Sequence, residues 1–177
     1  MARDNFVVDV TVSPTTADHP LGMIYIEPAN FWDRNENVVG VGAAAVDQGE
    51  REWIWTHVVT DTLAQGLAIR RGAGRQDYLN CGLIDAAGTM PALRVPGISQ
   101  IAATPGDYQF VLRRGMGAAQ SDSNSTIDLA FVGSNAVAAG NIRDATTGTN
   151  DYAILGVALD EDGGAAILVN AWINCPG

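Results

Sequence analysis

Gly40-Val41-Gly42-Ala43-Ala44-Ala45 is the first segment whose residue types and spacing could do chemistry. It satisfies the relaxed G-x-G-x-x-A pattern of dinucleotide-binding turns, follows Val38-Val39, and has Asp61 about where a ribose-binding acid belongs. That chemistry needs a strand–helix–strand unit, so that the pyrophosphate meets the amino end of a helix. The chain runs instead into EREWIWTHVVT and then into closely spaced strand-like runs. Glycines that let a buried segment pack closely explain the same residues, and no nucleotide is expected. Asp160-Glu161-Asp162 raises calcium, but an EF-hand loop begun at Asp160 would place Ala165 at its sixth position and Ala171 at its twelfth, where Gly and Glu are required. An exposed hairpin tip is the expectation there. His19 and His57 are the only imidazoles, no HExxH or CxxC spacing accompanies them, and no G-x-S-x-G nucleophile elbow occurs. His57 reads as a structural or interface histidine and His19 as a loop residue. The sequence therefore implies no catalytic residue, no cofactor and no metal, and the chain is read as a non-enzyme.

Other residues suit contact rather than reaction. Arg70-Arg71 and Arg113-Arg114 are paired cations in an acidic chain. They either pair internally with Asp and Glu at strand ends or meet acidic patches on a partner, since Arg is enriched at protein interfaces. Phe31-Trp32 and the pair Trp53 and Trp55 have the same two readings, because tryptophan serves both cores and binding hot spots. Phe6, Val8 and Val10 complete the candidate partner-binding set as the apolar side of an alternating N-terminal segment.

The elements that would position these residues are mostly strands. Residues 6–12 alternate with a period of two, as a strand or extended arm does. Met23-Ile24-Tyr25-Ile26 reads as a strand stopped by Pro28. Residues 31–37 read as a loop, and residues 38–46 as a buried strand or short helix. In residues 52–60, Trp53, Trp55 and His57 share one face while Ile54, Thr56 and Val58 share the other, so the strand should be covered on both sides. Residues 63–71 suit a strand or short helix, and 72–77 a break. Short apolar runs then follow at 79–84, 93–95, 108–112, 127–131, 135–139, 153–159 and 165–173, separated by Gly, Pro, Asn and Asp. That rhythm implies a sandwich or barrel. The last two runs, joined by Asp160-Glu161-Asp162-Gly163-Gly164, form a hairpin. The expected organisation is an arm or edge strand over residues 1–20 and one all-β domain over 21–177, its 97–177 half the most plainly β.

Charge narrows the partners. The chain has 177 residues, 20 acidic side chains against 10 Arg, no Lys, and a net charge of −10. Such a surface repels phosphate backbones and anionic lipid, so nucleic acid and membranes are not expected partners. MARDNFVVDV lacks the apolar core of a secretion signal, and no run approaches a membrane span. Cys81 and Cys175, far apart and in no metal spacing, are expected as free buried thiols of a reducing compartment, with a bridge closing the C-terminus as the other reading.

Residues 97–173 resemble the C-terminal part of decoration, or cement, proteins of tailed-bacteriophage capsids. Three patterns carry the likeness: Gly106-Asp107-Tyr108-Gln109-Phe110-Val111-Leu112-Arg113-Arg114-Gly115, Ser134-Asn135-Ala136-Val137-Ala138-Ala139-Gly140, and the hairpin from Ile154 through Val169. The resemblance implies a jelly-roll-like or β-tulip-like body with an extended N-terminal arm. It also implies a homotrimer, the major capsid protein as partner, and a place on the outer surface of the virion after assembly in the host cytoplasm. A head-fibre base, spike or other minor head protein is the first alternative. A carbohydrate-binding β-sandwich that stacks sugars on Trp32 or Trp55 is the second.

Overall fold

The computed structural model describes residues 8–27, 50–71, 80–84, 95–123, 125–134, 138–145 and 154–175. Phe6, the Phe31-Trp32 pair and the glycine pattern at 40–45 lie outside the described residues. Every regular element among the described residues is a strand: β1 Ile24–Glu27, β2 Arg51–Val58, β3 Ala68–Arg71, β4 Asn80–Leu83, β5 Gly97–Ile98, β6 Tyr108–Gln120, β7 Ala130–Ser134, β8 Asn141–Asp144, β9 Ile154–Ala158 and β10 Leu168–Asn174. The chain is all-β, as its alternation and turn residues imply.

The ten strands form one sheet that closes on itself twice. β2 pairs with β4, β4 with β3, β3 with β5, β5 with β6, and β6 returns to β2. The far half of β6 then pairs with β10, followed by β9, β7 and β8, and a bridge from Ile142 to Ser121 brings β8 back to the end of β6. One long strand thus belongs to both circuits. The handover falls where β6 leaves β2 and joins β10, near Arg114, which registers with both Glu52 and Asn174. Gly115 follows at once with φ +112°, and a Cβ there would sit 2.9 Å from both the Arg51 side chain and the Glu50 carbonyl. Only glycine allows the backbones to approach so closely in that conformation.

Two buried clusters fill the sheet. Ile54, Val58, Leu63, Ile69, Cys81, Ala103 and Val111 form the smaller one, drawn wholly from the first circuit. Trp53, Trp55, Phe110, Leu112, Phe131, Leu155, Val169 and Ile173 belong to the larger one, which spans both circuits. β2 therefore places Trp53 and Trp55 in one cluster and Ile54 and Val58 in the other, as a strand covered on both sides must.

Several local expectations need correction. Residues 63–71 are neither all strand nor helix: Leu63 makes a single bridge to Ala103, and the strand begins at Ala68. The run at 108–112 is only the first part of a 13-residue strand that continues through Gly115 and Gly117 to Gln120. Of the run expected at 135–139, residues 135–137 lie outside the described residues, while β7 ends at Ser134 and residues 138–140 turn into β8. The terminal hairpin stands, with Ala171, Trp172 and Ile173 opposite Ala158, Val157 and Gly156.

Candidate protein-docking face

The structure sorts the candidate contact residues by burial. Trp53 and Trp55 are interior side chains, so of their two readings the structure takes core rather than surface. Trp53 donates its indole N–H to Glu27 Oε2 at 3.0 Å, and Trp55 packs on Phe110 with ring centroids 4.7 Å apart. Val10 is buried and Val8 packs partly against the same cluster. Val10, like the tryptophans, is an interior side chain, and Val8 is half-buried beside it. The reason is that the segment leading to β1 lies down on the body instead of projecting. Pro14 accepts the Tyr108 N–H at 2.7 Å, Ser13 Oγ donates to Ala102 O, and Gly22 and Met23 bond across to Trp55. His19 sits edge-on to Trp55 at 5.0 Å, while His57 stacks on Tyr108 at 4.3 Å and meets Asn80 through Nδ1. Both imidazoles close an aromatic layer over β2 and β6.

The arginines divide likewise. Arg113 pairs with Glu52 at 2.7 Å, both side chains about a quarter exposed, which is the internal pairing weighed for it. Arg70 is half-buried and donates Nε to Leu83 O. Arg71 is buried, and burial pushes its guanidinium below the ordinary arginine range, with Cys81 acting the other way and Arg113 adding to the depression. Arg114 alone of the four is exposed. Cys81 and Cys175 are buried and form no disulfide, and burial pushes each thiol up to about 12.

Among the described residues, one partly exposed apolar surface outside the candidate set lies on a face of the second circuit. Across β6, β10, β9 and β7 the register lines up Met116, Trp172, Val157 and Ala130. Trp172 is 40% exposed, and Met116, Val157 and Ala130 are each half-buried. Leu129 and Ile154 at the flanks are a further 47% exposed each. The row exists because Trp172 has the opposite parity to Ala171 and Ile173, which point into the core. That alternation was the available signal, obscured by the apolar residues on both sides of the tryptophan. Arg114 and Asn174, paired on the same side of β6 and β10 as Met116 and Trp172, give the row a polar margin. An apolar row with an exposed tryptophan at its centre and a polar rim has the anatomy of a protein-docking surface.

No family model and no curated protein matches the sequence. Among solved structures, the chain is similar to the N-terminal base of the head fibre protein gp8.5 of bacteriophage phi29, at 11% identity and a TM-score of 0.49, over 69% of this chain and 92% of that one.

Proposed function

We propose that this chain is a non-catalytic structural protein of a bacteriophage virion that docks, as a homotrimer, on the major capsid protein at the outer surface of the head and braces the shell. The observation that carries the proposal is the Met116–Trp172–Val157–Ala130 row, half-buried but for its exposed tryptophan, on a doubly closed sheet. A body of this kind deforms little, so binding energy gained at the row is not spent on ordering it. The resemblance of residues 97–173 to capsid decoration proteins supplies the class of partner. Repetition over a capsid lattice makes individually weak contacts effective. The carbohydrate-binding alternative loses Trp55 as a stacking platform, since that ring is buried.

The test is electron microscopy and cosedimentation of purified capsids with the wild-type chain and with Trp172→Ala, together with light scattering of the free protein. Added density at every equivalent lattice position, lost in the variant, supports decoration. Density confined to a few vertices or one axis would point instead to a fibre or spike base, and a monomer that ignores capsids sinks the proposal.

A further inference from the structure

The β9–β10 turn has the exposed tip that its residues imply at Glu161, Gly163 and Gly164, yet Asp162 within it is buried. Its Oδ2 accepts bonds from Ser121 Oγ and from the Ser125 N–H, and its Oδ1 accepts the Gly164 N–H at 2.8 Å. Burial alone would raise this carboxyl, but the bonds from Ser121, Gly164 and Ser125 outweigh it and hold the group below the usual aspartate range. Beside it lies an open cleft of about 430 Å³ bordered by Ser125, Thr126, Arg143, Asp144, Glu161 and Asp162.

The charges around the cleft do not balance. Arg143 is matched by Asp122, whose Oδ2 takes both Nε and Nη2 at 2.8 Å. That leaves Asp144, Glu161 and Asp162 as a net negative lining. Asp144 uses Oδ1 to accept the Thr126 N–H at 2.9 Å. Ser125 is 2% exposed and its Oγ has no hydrogen-bond partner among the described residues. An orphaned buried hydroxyl is destabilising, so a polar group at the site would satisfy a standing demand. These acceptors are dispersed around the opening, and among the described residues no three acidic, His or Cys side chains converge as metal ligands do. Dispersed acceptors suit a planar fork of five N–H donors better than they suit a point charge.

We propose that this cleft is a socket for one arginine side chain presented by a partner protein. The inference rests on the reading of the chain as a docking protein and names the chemistry of one contact. The test titrates the full ¹⁵N-labelled chain with the peptide acetyl-Gly-Arg-Gly-amide and, separately, with calcium chloride. The peptide should give saturable shifts of the Ser125, Thr126 and Gly164 amides. Asp144→Asn with Glu161→Gln should weaken it about tenfold or more, the scale of losing charged hydrogen bonds, while the unfolding midpoint holds. Ser125→Ala should weaken it severalfold. Shifts spread over all exposed carboxylates, undiminished binding by the double variant, or saturation of the same amides by calcium but not by the peptide would each overturn the socket. Peptide binding by a chain that ignores capsids would overturn the docking reading alone. Capsid binding by a chain that ignores the peptide would overturn the socket alone.

Discussion

Glu27 fastens the edge strand β1 to the body, and a double-mutant cycle can measure how strongly. Its carboxylate accepts Arg51 Nη2 at 2.7 Å and the Trp53 indole N–H at 3.0 Å, and the Glu27 and Arg51 side chains are only 4% and 9% exposed. At such burial, removing either charge deprives the other of this 2.7 Å ion pair. Glu27→Gln should therefore cost about 3 kcal/mol, roughly a hundredfold in the unfolding constant, although the glutamine still offers Trp53 an acceptor. Arg51→Met should cost a similar amount. The double variant buries no charge at either position and should lose no more than about 1 kcal/mol beyond wild type. Arg113–Glu52 is the internal control: with both side chains about a quarter exposed, Glu52→Gln should cost less than about 1 kcal/mol. Guanidinium-induced unfolding followed by tryptophan fluorescence reads all four variants. Additive losses near 6 kcal/mol in the Glu27/Arg51 double variant, or a Glu52→Gln loss as large as that of Glu27→Gln, would refute the reasoning that burial sets the worth of these pairs.

Trp172→Ala should leave stability within about 1 kcal/mol, as for a half-exposed side chain, while reducing cosedimentation with capsids; parallel loss of both would make the tryptophan a structural residue. Gly156→Ala should prevent soluble folding, because the new methyl would lie 2.1 Å from the Trp172 carbonyl and 2.7 Å from the Phe131 ring, whereas Gly106→Ala meets nothing within 4 Å and should cost only the roughly 1 kcal/mol of its positive φ. Expression and circular dichroism separate the two. Asp162 has a depressed native pKa, so its contribution is present above the ordinary carboxyl pKa near 3.8 and fades as pH falls through the native value. Asp162→Asn should accordingly flatten the loss of stability on acidification below about pH 4, measured by melting across pH. Neither thiol should react with a disulfide reagent at pH 8 in the native state, and both should react on unfolding.

The sequence made the strand content legible where side-chain period and turn chemistry agreed. Residues 53–58 alternate into two different clusters, and the acidic double-Gly turn did mark the hairpin. It failed where non-local pairing overrides local character. Gly115-Met116-Gly117-Ala118-Ala119 does not look like a strand, yet it is one, because the close approach of Arg51 at Gly115, and of Leu112 at Gly117, excludes larger side chains. Trp53 and Trp55 stand out by their density, but among the described tryptophans the exposed one is Trp172, whose exposure depends on which side of β10 is covered. The burial of Asp162 is not legible locally, because nothing near it in sequence shows that Ser121 and Ser125 will bond to it from 41 and 37 residues away.

Because β6 serves both circuits, it cannot leave the sheet without breaking backbone bonds in each of them. Amide protons along its centre, from Phe110 to Ala119, should exchange with deuterium only when the whole molecule comes apart, while β1 and the short strand β8 breathe independently. Under tension applied across the body, the same strand would act as a keel, loading two sets of cross-strand bonds at once and resisting extension until both give way together.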